Sequence, residues 1–218
     1  MKSNSAYAPF KRALLALNGQ PISKARLKSV LENIDIVIAA DGGANWLMDH
    51  GTQPDLVIGD LDSIRPEHMD KVETLHVEDQ ARSDLQKAMT YLIDKGYHDI
   101  SIAGVNGKRL DHTLCNIHSL IDYAHQAQIN LLGQDWQGFY IGQSTTFHTV
   151  EGTCVSLVPL KKCQGVTLEG FQYPWEKENI GITDIGLSNI VTLPQVRVGL
   201  QSGLMMGLFY DIHAKPDV

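Results

Sequence analysis

Apolar and polar positions divide the chain into two textures that meet near residue 133. In the first, short continuous apolar runs alternate with stretches of three-to-four spacing. Residues 13–17 are one such run, ending at Asn18-Gly19. Residues 36–40 (Ile-Val-Ile-Ala-Ala) are unbroken and β-branched, as in a strand buried on both faces. Residues 56–58, 75–77, 100–103 and 129–132 read as further strands. Between them, residues 21–33 bring Ile22, Leu27, Val30 and Leu31 roughly onto one face, and Pro21 suits a first helical turn. Residues 83–95 turn Leu85, Ala88, Met89 and Leu92 inward behind Ser83 as N-cap. Residues 110–128 read as one long helix. Strands alternating with helices predict right-handed crossovers and a mostly parallel sheet flanked by helices, an α/β fold.

Beyond Gly133 the period changes to two. Val166 and Leu168 alternate with Thr167 and Glu169, and Val196, Val198 and Leu200 alternate with Gln195, Arg197 and Gly199. The last 85 residues hold 10 of the 19 glycines, so turns are frequent. That texture predicts an antiparallel β-sandwich or barrel. Residues 204–210 are apolar enough for a central strand. The expected division is therefore 1–133 for the α/β domain and 134–218 for the β domain.

Composition narrows the function. The chain has 218 residues, of which 43% are hydrophobic, enough for a substantial core. Lys and Arg number 18 against 25 Asp and Glu, a net charge of −7. An acidic balance argues against a nucleic-acid or membrane-surface binder. No apolar run reaches the ~18 residues of a membrane span. The run at 13–17 is shorter than a signal-peptide core and no A-x-A-like cleavage site follows it, which favours the cytoplasm. Cys115, Cys154 and Cys163 form no C-x-x-C pair and are expected as reduced, mostly buried thiols. The nine histidines make no zinc pattern; His118 and His125 would share one solvated helix surface.

The candidate chemistry gathers at predicted strand ends. In an open parallel sheet, ligands bind beyond the carboxyl ends of the strands. Those ends carry Asn18-Gly19-Gln20, Asp41-Gly42-Gly43-Ala44-Asn45, Gly59-Asp60-Leu61-Asp62-Ser63 and Gly104 through Asp111. A further polar stretch, Asp79-Gln80-Ala81-Arg82-Ser83-Asp84, follows the strand at 75–77. Asp60 and Asp62 would face one small volume if the backbone stayed extended past Ile58. Two such carboxylates repel each other unless a cation or a proton intervenes, and Mg²⁺ suits one or two carboxylates plus phosphate oxygens. The alternative is a capped turn, with Asp62 or Ser63 starting a helix around Pro66. The paired glycines after Asp41 allow close backbone approach ahead of a helix starting near Ala44. Gly104-x-x-Gly107-Lys108-Arg109 fails the P-loop spacing, and no G-x-G-x-x-G occurs. Arg109 still offers a planar fork for phosphate, with Asp111 beside it. Lys87 lies one turn after Asp84 on the same side of its helix; the bland alternative there is a surface ion pair. Carboxylates with several cations at one sheet edge point to phosphoryl transfer from a nucleotide.

These segments, in order, resemble the thiamine pyrophosphokinase (thiamine diphosphokinase) family. They are Ala40-Asp41-Gly42-Gly43-Ala44-Asn45, Pro54-Asp55 with Gly59-Asp60-Leu61-Asp62-Ser63, Asp79-Gln80-x-x-Ser83-Asp84-Leu85-x-Lys87-Ala88, and Gly107-x-Arg109-x-Asp111-His112. Gly186-Leu187-Ser188-Asn189 resembles the family's substrate-side motif. The resemblance implies transfer of the diphosphoryl group of ATP to the hydroxyl of thiamine, giving thiamine diphosphate and AMP. It implies Mg²⁺ and a homodimer whose thiamine site lies between the α/β domain of one subunit and the β domain of the other. Asp60, Asp62 and Asp84 correspond to metal-binding acids, with Asp41 and Asp111 in the same cluster. Asn18, Gln80, Ser83, Lys87 and Arg109 correspond to the nucleotide and phosphate side. Ser188 and Asn189 correspond to the thiamine side, where Trp175 would stack on the thiazolium or else simply pack within the β domain. Ser83 stands where the family often has Thr, and Lys108 where Gly is frequent. Two other readings share the motifs: a related phosphotransferase acting on another heterocyclic alcohol, and a module that senses nucleotide or thiamine diphosphate without turnover.

Overall fold

The computed structural model describes residues 11–184 and 186–216. Strands β1 (Lys11–Ala16), β2 (Ile36–Ala40), β3 (Leu56–Gly59), β4 (Thr74–His76), β5 (Tyr97–Ala103) and β6 (Gln128–Leu132) come first. Helices α1 (Lys24–Leu31), α2 (Gly43–Asp49), α3 (Pro66–Met69), α4 (Asp84–Asp94) and α5 (Leu110–Ser119) connect them. These six strands are parallel throughout, in the order β6-β5-β1-β2-β3-β4. Every strand end predicted to carry chemistry therefore opens on the same edge.

The predicted inward face of α4 is buried: Leu85, Ala88, Met89 and Leu92 all lie in the core beside Ile58 and Ile102. Each such large side chain contributes roughly 1.5–3 kcal/mol by leaving water. On the opposite face of the sheet, Leu14, Val37 and Val57 pack against Leu27, Ala44 and Leu47 of α1 and α2. Helix α1 starts later than the pattern suggested, because Ser23 rather than Pro21 sets the first turn; its hydroxyl accepts from the Arg26 N–H at 3.2 Å. Helix α5 is much shorter than 110–128. It ends at Ser119 and tightens into a 3₁₀ turn at Leu120–Asp122. Leu120 is fully buried there and the Tyr123 hydroxyl donates to the Gln86 carbonyl, so the chain leaves the helix axis to seat both on α4. His125 consequently falls in the turn before β6, off the helix that carries His118. Of the three thiols, only Cys163 is buried; Cys115 is exposed and Cys154 half-buried.

Nine further strands follow among the described residues: β7 (Gln137–Ile141), β8 (Thr145–His148), β9 (Cys154–Pro159), β10 (Cys163–Glu169), β11 (Glu178–Ile180), β12 (Asn189–Ile190), β13 (Gln195–Gly199), β14 (Met205–Phe209) and β15 (Lys215–Pro216). Four of them extend the first sheet antiparallel, giving the full order β12-β9-β14-β7-β6-β5-β1-β2-β3-β4. The other five form a second sheet, β11-β10-β13-β8-β15. The two sheets sandwich a core in which Phe139, Phe147 and Phe209 meet at ring-centroid distances of 4.8–5.6 Å. The predicted central strand is indeed internal: β14 pairs with β7 on one side and β9 on the other. The turn from β6 to β7 is clasped by Arg26, whose guanidinium donates to the carbonyls of Gly133 and Trp136. Burial lowers the Arg26 pKa to about 10, opposed by the nearby charge of Asp135.

Candidate active site

Strands β2 and β3 end side by side, and the chain turns sharply at both ends. Asp41 follows β2 with φ of 43°, and Leu61 lies between the two acids after β3 with φ of 66°. Such backbone costs non-glycine residues on the order of 1 kcal/mol and clusters where geometry serves function. The pair Asp60 and Asp62 therefore does not meet by extended alternation. A left-handed turn at Leu61 brings them together, and the Asp62 N–H faces Asp60 Oδ1 at 3.5 Å. Asp41, Asp60 and Asp62 each place a carboxylate oxygen within 4.8 Å of the others. The Ser63 N–H donates to Asp41 Oδ1 at 3.2 Å, and the Ser63 hydroxyl donates to Asp62 Oδ1 at 2.8 Å. Asn45 pins the same loop, accepting from the Arg65 N–H and donating to the Ser63 carbonyl. The helix-cap alternative does not hold, since α3 starts after Arg65, without a side-chain cap.

Asp84 of α4 lies beside this set without belonging to it, and its Oδ1 accepts from Lys87 Nζ. A Cβ placed on Gly59 would stand 3.0 Å from Asp41 Cβ and 3.0 Å from Asp84 Oδ1, so glycine is needed where β3 passes between these acids. Burial raises the Asp41 pKa above its ordinary value; the hydrogen bonds from Ser63 oppose the shift and the charge of Asp84 adds to it. The structure thus brings carboxylates together at partial desolvation, an arrangement that costs energy without a cation. Octahedral Mg²⁺ at about 2.1 Å from each ligand sets its oxygens about 3–4 Å apart. An all-carboxylate donor set within 4.8 Å fits a hard divalent cation with minor closure.

Lys87 is not a surface residue. Its side chain is only 3% exposed, and its ammonium donates to Asp84 Oδ1 at 2.9 Å. Ser83 caps α4 in a full capping box with Gln86. Beside this helix end lies a cavity of about 300 Å³, lined by Asp60, Gln80, Ser83, Asp84 and Lys87 among others. Asp79, Arg82, His112 and Asn116 also line it. Sequence reasoning gave Arg82 and Asn116 no role. Asn116 Nδ2 donates to the Val105 carbonyl at 3.0 Å, so it ties α5 to the loop after β5. A larger cavity of about 590 Å³ lies at the opposite edge, near the start of β6, but no carboxylate lines it. The chemistry belongs to the smaller one.

Other expected site residues sit apart. Arg109 and Asp111 pair with each other at the start of α5, both more than half exposed, and neither lines the 300 Å³ cavity. The Arg109 hydrogen bonds hold the Asp111 carboxyl down at about 2. Asn18, after β1, accepts from Lys108 Nζ at 2.7 Å, with its amide against Gly42. Ser188, Asn189 and Trp175 lie far from the acids, at the β12 edge of the sheet. Ser188 takes a left-handed φ of 56°, and its N–H donates to Ser156 Oγ. Asn189 is buried and holds the loop before Trp175: its Oδ1 accepts from the Tyr173 N–H and its Nδ2 donates to the Tyr173 carbonyl. Trp175 packs half-buried on the sandwich core, close to Gly186.

The fold and this site define an α/β sheet with an acidic, cation-ready edge, continued by a β-sandwich. Residues 27–132 match the thiamin pyrophosphokinase catalytic domain, and residues 143–205 match the thiamin pyrophosphokinase vitamin B1 binding domain. Thiamine pyrophosphokinase 1 of Oryza sativa subsp. japonica is 28% identical over 204 residues, covering 77% of this chain and 76% of the relative. Thiamine pyrophosphokinase of Bacillus subtilis (strain 168) is 30% identical over 147 residues, covering 63% and 69%. Among solved structures, thiamine pyrophosphokinase from B. subtilis superposes with a TM-score of 0.81 at 21% identity, covering 92% of this chain and 99% of that one. Thiamin pyrophosphokinase from Candida albicans gives 0.81 at 17% identity, covering 93% and 90%. The chain belongs to the thiamin pyrophosphokinase family.

Proposed function

We propose that this chain is a thiamine diphosphokinase that transfers the diphosphoryl group of ATP to the hydroxyl of thiamine, giving thiamine diphosphate and AMP. The observation that carries this reading is the convergence of Asp41, Asp60 and Asp62 within 4.8 Å, beside a cavity floored by buried Lys87. Asp60 and Asp62, with Asp84, would hold Mg²⁺, with Asp41 completing the acidic wall. A bound divalent cation supplies charge neutralisation across phosphate oxygens and a template for their orientation. Lys87 places a fixed positive charge at the cavity wall, and Arg109 offers a planar fork once it leaves Asp111. Asn18, Gln80 and Ser83 supply donors on the nucleotide side. Asp84 or Asp111 orients the attacking hydroxyl; transfer of this kind asks more for positioning and electrostatics than for a strong base.

Thiamine is assigned to Ser188, Asn189 and Trp175, where a Trp face beneath the cationic thiazolium would contribute roughly 0.5–2 kcal/mol. From β12 to β2 there are seven strand spacings, roughly 34 Å at about 4.8 Å each. One copy therefore holds its phosphate side and its thiamine side too far apart for a single small substrate. A homodimer resolves this by joining the 1–133 region of one copy to the 134–218 region of the other. Tyr173, Ile182 and Leu187 support that arrangement, since each is 60% exposed or more beside the thiamine-side loop. No helix among the described residues is long and apolar enough to cross a membrane. The three free cysteines suit the reducing cytoplasm.

Product analysis by phosphorus NMR, starting from Mg–ATP and thiamine, tests the reaction. Equal release of AMP and thiamine diphosphate is expected. ADP with thiamine monophosphate, or no turnover at all, would overturn it.

A further inference from the structure

Two cations line the 300 Å³ cavity through long side chains, and each is held by an acid three residues upstream. Lys87 is paired with Asp84 at 2.9 Å, and Arg82 is paired with Asp79 at 2.7 Å. The two pairs differ in environment. The Lys87 side chain is 3% exposed, whereas Arg82 and Asp79 are 43% and 34% exposed. An ion pair that open to water contributes little and is easily exchanged. The Asp79 side chain is held by the chain around it: its Oδ1 accepts from the Ala81 N–H at 2.8 Å, and Ser83, next to Arg82, caps α4. Arg82, whose Nε donates to Asp79 Oδ2, is the partner with the longer and more exposed side chain. Once each cation is matched with its own acid, Asp60 remains among the lining carboxylates, facing Asp41 and Asp62, the group suited to a divalent ion. A polyphosphate entering this cavity gains a mobile cation from the cavity's own lining only if one of the two pairs opens, and the exposed one opens at least cost. Phosphate then receives two parallel N–H donors from the guanidinium, a stronger contact than the one given up.

We infer that Arg82 is a phosphate clamp for the nucleotide, parked on Asp79 until the polyphosphate enters. The inference deepens the proposed function and rests on it for the identity of the nucleotide. Charge matching between Asp79 and Arg82 makes the clamp self-limiting, because the acid competes with the incoming phosphate.

The test uses the full-length protein with steady-state kinetics at saturating thiamine. Arg82→Gln raises KM for Mg–ATP about tenfold while kcat stays within about twofold, and Arg82→Lys recovers only part of the loss because it lacks the fork. Asp79→Asn frees the arginine and lowers KM by about two- to threefold. Calorimetric titration with Mg–tripolyphosphate separates this inference from the function on which it rests. Wild-type protein that makes no AMP refutes the function alone. Affinity for Mg–tripolyphosphate then decides the clamp, with a loss of about tenfold in Arg82→Gln supporting it. A KM and a tripolyphosphate affinity both within twofold of wild type in Arg82→Gln would overturn it.

Discussion

Asp41 is the residue on which the opposing demands of folding and chemistry fall. It is 6% exposed, and burial holds its carboxyl above the ordinary pKa. The native state therefore binds a proton more readily than the unfolded chain. Stability contributed by this group is full at low pH and is lost as pH rises from the unfolded value of 3.8 through the raised native value. Asp41→Asn keeps an oxygen for the Ser63 N–H and removes the charge. At neutral pH in chelator, the variant should be more stable than wild type by on the order of 1 kcal/mol, about 2–4 °C in melting midpoint. The difference should vanish below about pH 4, where both chains are neutral at this position. Equal midpoints at pH 7, or a variant less stable there, would show that Asp41 is not held against its charge. Much of this neighbourhood was legible from residue types alone: carboxylates at successive strand ends repel, and something must hold them. What was not legible was the turn. A leucine at φ of 66° is unfavourable enough that sequence reasoning defaults to extended backbone, so the meeting of Asp60 and Asp62 was expected from the wrong geometry. Asp111 shows the reverse problem. It lies near the correct edge, but Arg109 two residues away captures it first.

At the scale of elements, α4 was readable almost residue by residue. Four apolar positions at helical spacing, together with Ser83 at the cap, give the local signals the same sense, and the structure adds Gln86 as the N3 partner of Ser83. The capping box contributes about 0.5–2 kcal/mol and fixes the backbone from which Arg82, Asp84 and Lys87 project. Helix α5 was misjudged because its apolar pattern continues past its end. Leu120 and Tyr123 are periodic with it, yet they are used to anchor a turn on α4 rather than to prolong a helix. The loops after β1 and β5 show a further limit. The Gln20 N–H donates to the Asn106 carbonyl at 2.6 Å, and a Cβ on Gly19 would lie 2.1 Å from the Gly104 carbonyl oxygen. These loops close on each other, so the ligand space shifts toward β3, α4 and α5. Periodicity places strand ends on one edge but does not say which gaps between them stay open.

Across the whole molecule, one sheet runs through both textures of the sequence, and its length sets Asn189 on β12 seven strand spacings from Asp41 at the end of β2. The change of period at Gly133 was visible; the continuity of the sheet was not, because β6 and β7 pair across the change through backbone alone. If two copies share each active site, two defective chains can repair each other. Asp62→Asn and the double variant Trp175→Ala/Ser188→Ala, assayed with thiamine well below the wild-type KM so that each is far below wild type alone, should recover about a quarter of wild-type activity after mixing and subunit exchange, because half the dimers are mixed and each carries one intact site. Activity no higher than that of the separate variants, despite demonstrated exchange, would mean that each site is built within one copy. The central claim remains the metal-ready acidic edge. It is tested most directly by titrating Mn²⁺ into the protein with a non-hydrolysable ATP analogue and following the bound ion by electron paramagnetic resonance. Wild type should retain Mn²⁺ in the ternary complex and Asp62→Asn should lose that retention about tenfold or more; equal retention by the two proteins would contradict the account.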